Sequence, residues 1–204
     1  MQHAAAAVEL PASTARRPAR TSPDASGATR RSSKDAPLLR SARLRLDRLQ
    51  ATDAAFIHAL VNSEGWLRFI GDRGVRSLAD AEAFIENGPR TSYRVHGFGL
   101  WRLSRLEGGP ALGVCGLLKR DTLPAPDLGY ALLPEFHRHG YAREAAAACI
   151  EFAREELQLS ELLAICQLDN AASLGLLRGL GFVDAETFQS DGGQTLQKLV
   201  LRLR

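Results

Sequence analysis

Apolar and polar positions follow two rhythms along this chain, and the switches between them mark out its elements. Leu44 and Leu46 alternate with Arg43, Arg45 and Asp47, the two-residue period of a strand with one wet face. Thr52 or Asp53 is then placed to cap a helix that buries Ala55, Phe56, Ala59 and Leu60 at helical spacing. Ser77, with Asp80 three residues on, has the form of a capping box. It predicts a second helix through Ala81, Phe84 and Ile85 that stops at Asn87-Gly88-Pro89. Two strand-like runs, 98–106 and 111–119, are joined by Glu107-Gly108-Gly109-Pro110, which predicts an antiparallel hairpin.

The second half repeats these rhythms in longer units. A short apolar strand from Leu128 is closed by Pro134, which cannot donate to a ladder. A basic turn around Gly140 leads into an Ala-rich helix over 141–157, where Ala145, Ala148, Cys149 and Phe152 form a narrow face suited to lying close on a sheet. Residues 161–167 read as a buried strand, and Asn170 caps a helix that ends near Gly179 and Gly181. Strands over 182–187 and 195–203 close the chain around Asp191-Gly192-Gly193. The order β-α-α-β-β-β-α-β-α-β-β mixes hairpins with helical crossovers. It predicts an α/β fold with a mixed sheet.

Composition changes this picture only at the N-terminus. Residues 1–38 carry Pro11, Pro18, Pro23 and Pro37 among Ser, Thr and Arg, with no apolar period, so they are expected to form a disordered tail before a domain over 39–204. Six basic residues (Arg16, Arg17, Arg20, Arg30, Arg31, Lys34) face Glu9, Asp24 and Asp35 there, a net +3 that equals the charge of all 204 residues. The remainder is balanced, which gives no net-charge case for a nucleic-acid partner. No apolar run reaches membrane-spanning length, so no membrane partner is expected. Glu9, Asp24 and the prolines argue against a transit peptide, and a cytoplasmic location is expected. Cys115, Cys149 and Cys166 lie in apolar stretches without metal-like spacing. They are expected to be reduced and packed, and no metal is expected.

The chemistry concentrates where the strand from Leu128 meets the Ala-rich helix. A strand, a turn and a helix N-terminus present unpaired backbone N–H groups and the positive helix pole at one point, a seat for a phosphate or pyrophosphate. Gly140 permits φ > 0 or close approach, Ala142 keeps the next turn uncrowded, and Arg138 and His139 add positive charge. The stretch His137-Arg138-His139-Gly140-Tyr141-Ala142 resembles the acyl-CoA pyrophosphate loop of the GNAT superfamily of N-acetyltransferases, Gln/Arg-x-x-Gly-x-Gly/Ala, departing from it at His137. Asp169-Asn170-Ala171-Ala172-Ser173 and Leu180-Gly181-Phe182 resemble the Asn-x-x-Ser … Gly-Phe signature of the ribosomal-protein-alanine N-acetyltransferase branch. Further likenesses at Leu44-Arg45-Leu46, Gly97–Trp101, Gly113–Leu117 and Asp127–Tyr130 extend the resemblance over roughly Leu39 to Arg204, in order.

That resemblance implies an acetyl-CoA-dependent N-acetyltransferase acting on a primary amine, a small molecule or a protein N-terminus, as a monomer or homodimer. It implies that the loop His137 to Arg143, including Tyr141, holds the pyrophosphate, and that Tyr130, Ala131 and Leu132 offer backbone groups to the pantetheine arm. It implies that Asn170 anchors the CoA end and that Ser173 protonates the departing thiolate. Many of these enzymes use a Tyr later in the same helix, where this chain has Leu177. For the base that deprotonates the amine, Asp127, Glu64, Asp72, His96 and water all remain open. Trp66, Phe69, Tyr93 and Trp101 are candidates for the acceptor wall and for the core alike. A second class is an acyl-CoA-binding regulatory module without turnover.

Overall fold

The computed structural model describes residues 38–190 and 192–203. The tail over 1–37 lies outside the described residues. Leu38, counted with it above, donates its N–H to Leu46 O at 2.9 Å and packs against the core.

The alternating and apolar runs assemble into one eight-stranded sheet: β1 (Leu39–Arg40), β2 (Leu44–Arg48), β3 (Leu100–Arg105), β4 (Gly113–Leu118), β5 (Asp127–Leu132), β6 (Glu161–Gln167), β7 (Val183–Gln189) and β8 (Thr195–Arg202). The spatial order is β1-β2-β3-β4-β5-β6-β8-β7. Every neighbouring pair is antiparallel except β5 with β6, so the mixed α/β sheet expected from the element order is formed, and it is mostly antiparallel.

Two helices, α5 (Tyr141–Glu155) and α6 (Ala171–Gly179), share one core with Leu44, Trp101, Cys115, Leu128, Tyr130, Ala164 and Cys166. Helix α5 buries Tyr141, Ala142, Ala145, Ala146, Cys149, Ile150 and Ala153, mostly small, while Ala148 and Phe152 are half-buried. Small side chains there let the helix backbone approach the sheet. On the other face α1 (Ala54–Val61), α2 (Glu64–Phe69) and α3 (Leu78–Ile85) bury Ile57, Leu60, Trp66 and Ile85 against Leu49, Leu100, Val114 and Ala131.

Three local expectations are corrected. First, α1 is preceded by a 3-10 turn (Ala51–Asp53) in which Asp53 Oδ2 accepts from Gln50 N–H at 2.9 Å, so neither Thr52 nor Asp53 caps α1 with its side chain. The buried stripe of α1 is Ala54, Ile57, Leu60 and Val61, leaving Ala55 and Ala59 exposed; alanine is too small to set a helix's phase. Second, α2 and the two-residue β1 have no counterpart in the expected order, being too short for either period to register.

Third, the helix opened by the Ser77–Asp80 box, which forms as expected, does not stop at Asn87-Gly88-Pro89. A π turn (Glu86–Arg90) takes Pro89 into a widened loop of backbone, and the helix resumes as α4 (Thr91–His96). Pro lacks the N–H that an α turn would use, and the π turn accommodates that vacancy. Glu86 pairs across it with Arg90 (3.1 Å) and Arg94 (2.7 Å). Gly97, at φ 80, terminates α4. The continued helix places the Tyr93 hydroxyl so that it donates to Leu100 O and accepts from Leu49 N–H, pinning α4 to the sheet.

Candidate active site

The parallel strands β5 and β6 are in register only at Asp127 and Leu163, where Leu163 N–H reaches Pro126 O at 2.9 Å. Beyond that point they part, and the sheet opens as a wedge toward the end of β5. The chain leaves β5 through a 3-10 turn (Pro134–Phe136), and the His137 ring Nε2 lies 3.1 Å from Leu132 O. Arg138 (φ 64) and Gly140 (φ 78) are both left-handed. For Arg138 that conformation is uncommon, and it coils the chain so that α5 begins at the mouth of the wedge. With Gly140 as its N-cap, α5 has no side chain over its first-turn N–H groups, those of Tyr141, Ala142 and Arg143. This is an anion cradle at a positive helix pole.

The acid in that first turn is held aside. Glu144 accepts from Ser41 Oγ (2.7 Å), Arg43 N–H (2.8 Å) and Arg43 Nε (2.7 Å). Partial burial disfavours its charge, but the bonds from Ser41 and Arg43 outweigh it and hold the carboxyl below its usual range. Arg43 and Arg105 also lie over the Tyr141 ring, at 4.9 and 6.0 Å from its centroid.

Between this loop and α6 runs a cleft of about 450 Å³. Of the residues singled out in the sequence, Leu132, Arg138, Gly140, Tyr141, Ala142 and Arg143 line it. Phe136, Gly175 and Leu176 also line it, as do Ala171 and Ala172 of the Asn-x-x-Ser stretch, none of which was given a site role from sequence. Gly175 carried a legible signal: a glycine inside a helix costs about 1 kcal/mol against alanine and asks for a reason. Here Gly175 lines the cleft, and a Cβ there would meet open space rather than another element. Arg143 ties the two walls together, its Nη2 donating to Gly179 O at 3.1 Å.

The remaining predicted residues stand behind the cleft. Tyr130 and Ala131 are buried in β5. His137 braces the strand end, and His139 turns its ring onto Tyr141 (centroids 5.5 Å apart), with Nδ1 2.7 Å from His137 O. Asn170 caps α6, its Oδ1 accepting from Ser173 N–H at 3.1 Å. Ser173 is 1% exposed and faces inward, its Oγ 2.7 Å from the Tyr130 hydroxyl across the wedge.

On the opposite face of β6 from Ala164 and Cys166, Ile165 lines a second cleft of about 310 Å³. Ile70 and Arg73 after α2, Leu123 in the β4–β5 connection, and Glu186, Phe188 and Lys198 on β7 and β8 also line it. Glu186 is the only carboxylate on its wall among the described residues, and it pairs with Lys198. None of Asp127, Glu64, Asp72 or His96 lines either cleft. Asp127 is wholly buried, its Oδ1 accepting from Arg120 Nε at 2.9 Å; burial pushes its carboxyl up to about 6 against the pull of Arg120. Asp72 faces solvent, where its bonds to Arg76 lower its carboxyl to about 2. Trp66, Phe69, Tyr93 and Trp101 belong to the core.

Residues 43–183 match the acetyltransferase (GNAT) domain family, and that span takes in the wedge, the cradle and both helices beside the cleft. The chain belongs to the GNAT acetyltransferase family. An uncharacterized N-acetyltransferase of Bacillus subtilis, YoaA, is 28% identical over 148 residues, 72% of this chain and 82% of its own. The acetyltransferase of Agrobacterium tumefaciens strain C58 superposes with a TM-score of 0.70 at 22% identity, over 86% of this chain and 99% of its own. RimL, a ribosomal L7/L12 α-N-protein acetyltransferase solved with coenzyme A, superposes at 0.69 with 16% identity, over 80% and 96%.

Acetyl-CoA is the cosubstrate of GNAT acetyltransferases, and the residues present suit it. The uncapped first turn of α5 with Arg138 and Arg143 fits a pyrophosphate, and the open side of Gly175 leaves room for the arm that follows. The parted edges of β5 and β6 supply strand-like backbone beside it.

Proposed function

We propose that this protein is an acetyl-CoA-dependent N-acetyltransferase that transfers an acetyl group to a primary amine, on a small molecule or a protein N-terminus, by direct attack within a ternary complex. The observation that carries this reading is the cleft at the β5–β6 wedge, with an anion cradle at its mouth and a glycine holding its wall open. His137 to Arg143 hold the pyrophosphate, and Tyr130 to Leu132 present backbone groups to the pantetheine arm. Asn170 fixes the start of α6. The acceptor enters from the second cleft, on the other face of β6, so that amine and thioester approach each other through the parted strands.

Holding both reactants in line removes much of the entropic part of the barrier to their encounter, several kcal/mol in comparable intramolecular systems. The amine nitrogen attacks the thioester carbon, the C–N bond forms, and the C–S electron pair leaves on sulfur. A backbone N–H of β5 stabilises the oxyanion, commonly worth about 3 kcal/mol. The ammonium proton is lost to water, and Ser173 gives its hydroxyl hydrogen to the departing thiolate and recovers one from solvent.

Gly175→Leu tests the cleft. Replacing a helical glycine with leucine favours the helix by about 1 kcal/mol, so the melting temperature should hold or rise. The same side chain would fill the cleft, and acetyl-CoA affinity by calorimetry should fall at least tenfold. Unchanged affinity in the stable variant would place the cosubstrate elsewhere.

A further inference from the structure

The two hydroxyls that meet behind the cleft stand in a longer row of buried polar groups. Tyr130 on β5 lies 2.7 Å from Ser173 Oγ on α6, and its only other described acceptor is Ser173 O at 3.5 Å, beyond a good O–H···O length. Ser173 also neighbours the Cys166 sulfur on β6, and its hydroxyl pulls the Cys166 thiol downward. The Cys166 thiol lies 3.8 Å from Asn170 O, to which it can donate. Tyr130, Ser173 and Cys166 are each at most 1% exposed.

Proton directions follow from this layout. If Ser173 donated to Tyr130, the tyrosine proton would be left with the poor acceptor at 3.5 Å. If Tyr130 donates to Ser173 Oγ, the serine proton is released toward sulfur, and each donor in the row has an acceptor. Burial raises the Tyr130 phenol far above its usual value, so it stays protonated and remains a donor. Burial likewise pushes the Cys166 thiol up to about 11, against the Ser173 hydroxyl that lowers it, and keeps it a donor to Asn170 O.

We propose that Tyr130 is a positioning residue for acetyl transfer: its hydroxyl occupies a lone pair of Ser173 Oγ and thereby directs the Ser173 proton toward sulfur. The Cys166 sulfur is its acceptor in the free protein, and the departing CoA sulfur replaces it during transfer. Chained hydrogen bonds polarise one another, so the donated bond also strengthens Ser173 as a donor. No proton leaves Tyr130. This inference rests on the acetyltransferase reading and on Ser173 serving the thiolate.

The test is a double-mutant cycle in the full chain with Tyr130→Phe, Ser173→Ala and both, using an amine that the wild type acetylates. Steady-state rates are read beside calorimetric acetyl-CoA affinity and melting temperature. Tyr130→Phe keeps the ring and should lower kcat about tenfold with affinity within twofold; Ser173→Ala should lower it about a hundredfold. In the Ser173→Ala background, Tyr130→Phe should have no further effect on kcat. Unchanged kcat in Tyr130→Phe, or full additivity in the double variant, would overturn the proposal. Ser173→Thr, which retains a hydroxyl, should recover most of the rate and keep its dependence on Tyr130 if the variants with alanine fold poorly. Absence of turnover by the wild type across an amine panel would instead defeat the acetyltransferase reading.

Discussion

At the scale of single residues, Gly140 carries a conformation that few side chains tolerate. Its φ of 78 places it where a β-branched residue is strained, and it is the N-cap of the helix whose first turn forms the cradle. Gly140→Val should therefore remove detectable acetyl-CoA binding while the core of the domain stays folded, as read by calorimetry beside far-UV circular dichroism. Normal affinity in a folded variant would contradict the cradle. His137→Gln should be nearly silent, because a glutamine amide can also reach Leu132 O. Much of this was legible in the sequence, since Gly140 stands directly before an apolar-periodic helix. The inward direction of Ser173 was not. Sequence placed it one turn into α6 beside Asn170, but which face of α6 meets the cleft depends on how the helix rolls against β6, and Ala171, Ala172, Gly175 and Leu176 took that face.

At the scale of elements, long periodic segments declared themselves and short ones did not. Strand β6 has the bounds expected, and α5 ends two residues early. Helix α2 and strand β1 hold six and two residues, too few for a period to repeat. The π turn defeated a sound local rule, since Asn-Gly-Pro usually ends a helix, and here contacts across Glu86 and the Tyr93 anchor override it. Asp127 shows how a connection between elements is fixed: with Arg120 it locks the β4–β5 loop that walls the second cleft. Its Oδ2 has no hydrogen-bond partner among the described residues. Because its carboxyl sits at about 6 when folded and near 4 when unfolded, folding takes up a proton between those values. Its contribution to stability is full below pH 4 and declines by about 2–3 kcal/mol as pH rises to 6. Urea unfolding at pH 4, 5, 6 and 7 should show that decline in the wild type relative to Asp127→Asn. Parallel profiles for the two proteins would contradict it.

At the scale of the whole molecule, sheet order and wedge bring residues distant in sequence to one place. Tyr130 and Ser173 are 43 positions apart, and Ser41 reaches Glu144 across 103. The first of those meetings depends on β5 and β6 being the one parallel pair of the described sheet, a pairing that a sequence pattern of alternating helices and strands permits but does not register residue by residue. The N-terminal segment makes a separate prediction. Its composition has no apolar period to dock with the domain, so removal of residues 1–37 should leave melting temperature and acetyl-CoA affinity almost unchanged. A fall of several degrees would show that the segment packs on the domain.

The central claim is that the cleft at the wedge delivers an acetyl group to an amine. The most direct measurement is mass spectrometry of an amine panel, including polyamines, amino acids and N-terminal peptides, incubated with acetyl-CoA and the full chain, with free CoA thiol followed in parallel. The account predicts an acetylated amine formed in step with CoA release, and loss of both with Gly175→Leu. Tight acetyl-CoA binding with no acetylated product from any amine would contradict it, and would assign the protein to acyl-CoA sensing instead.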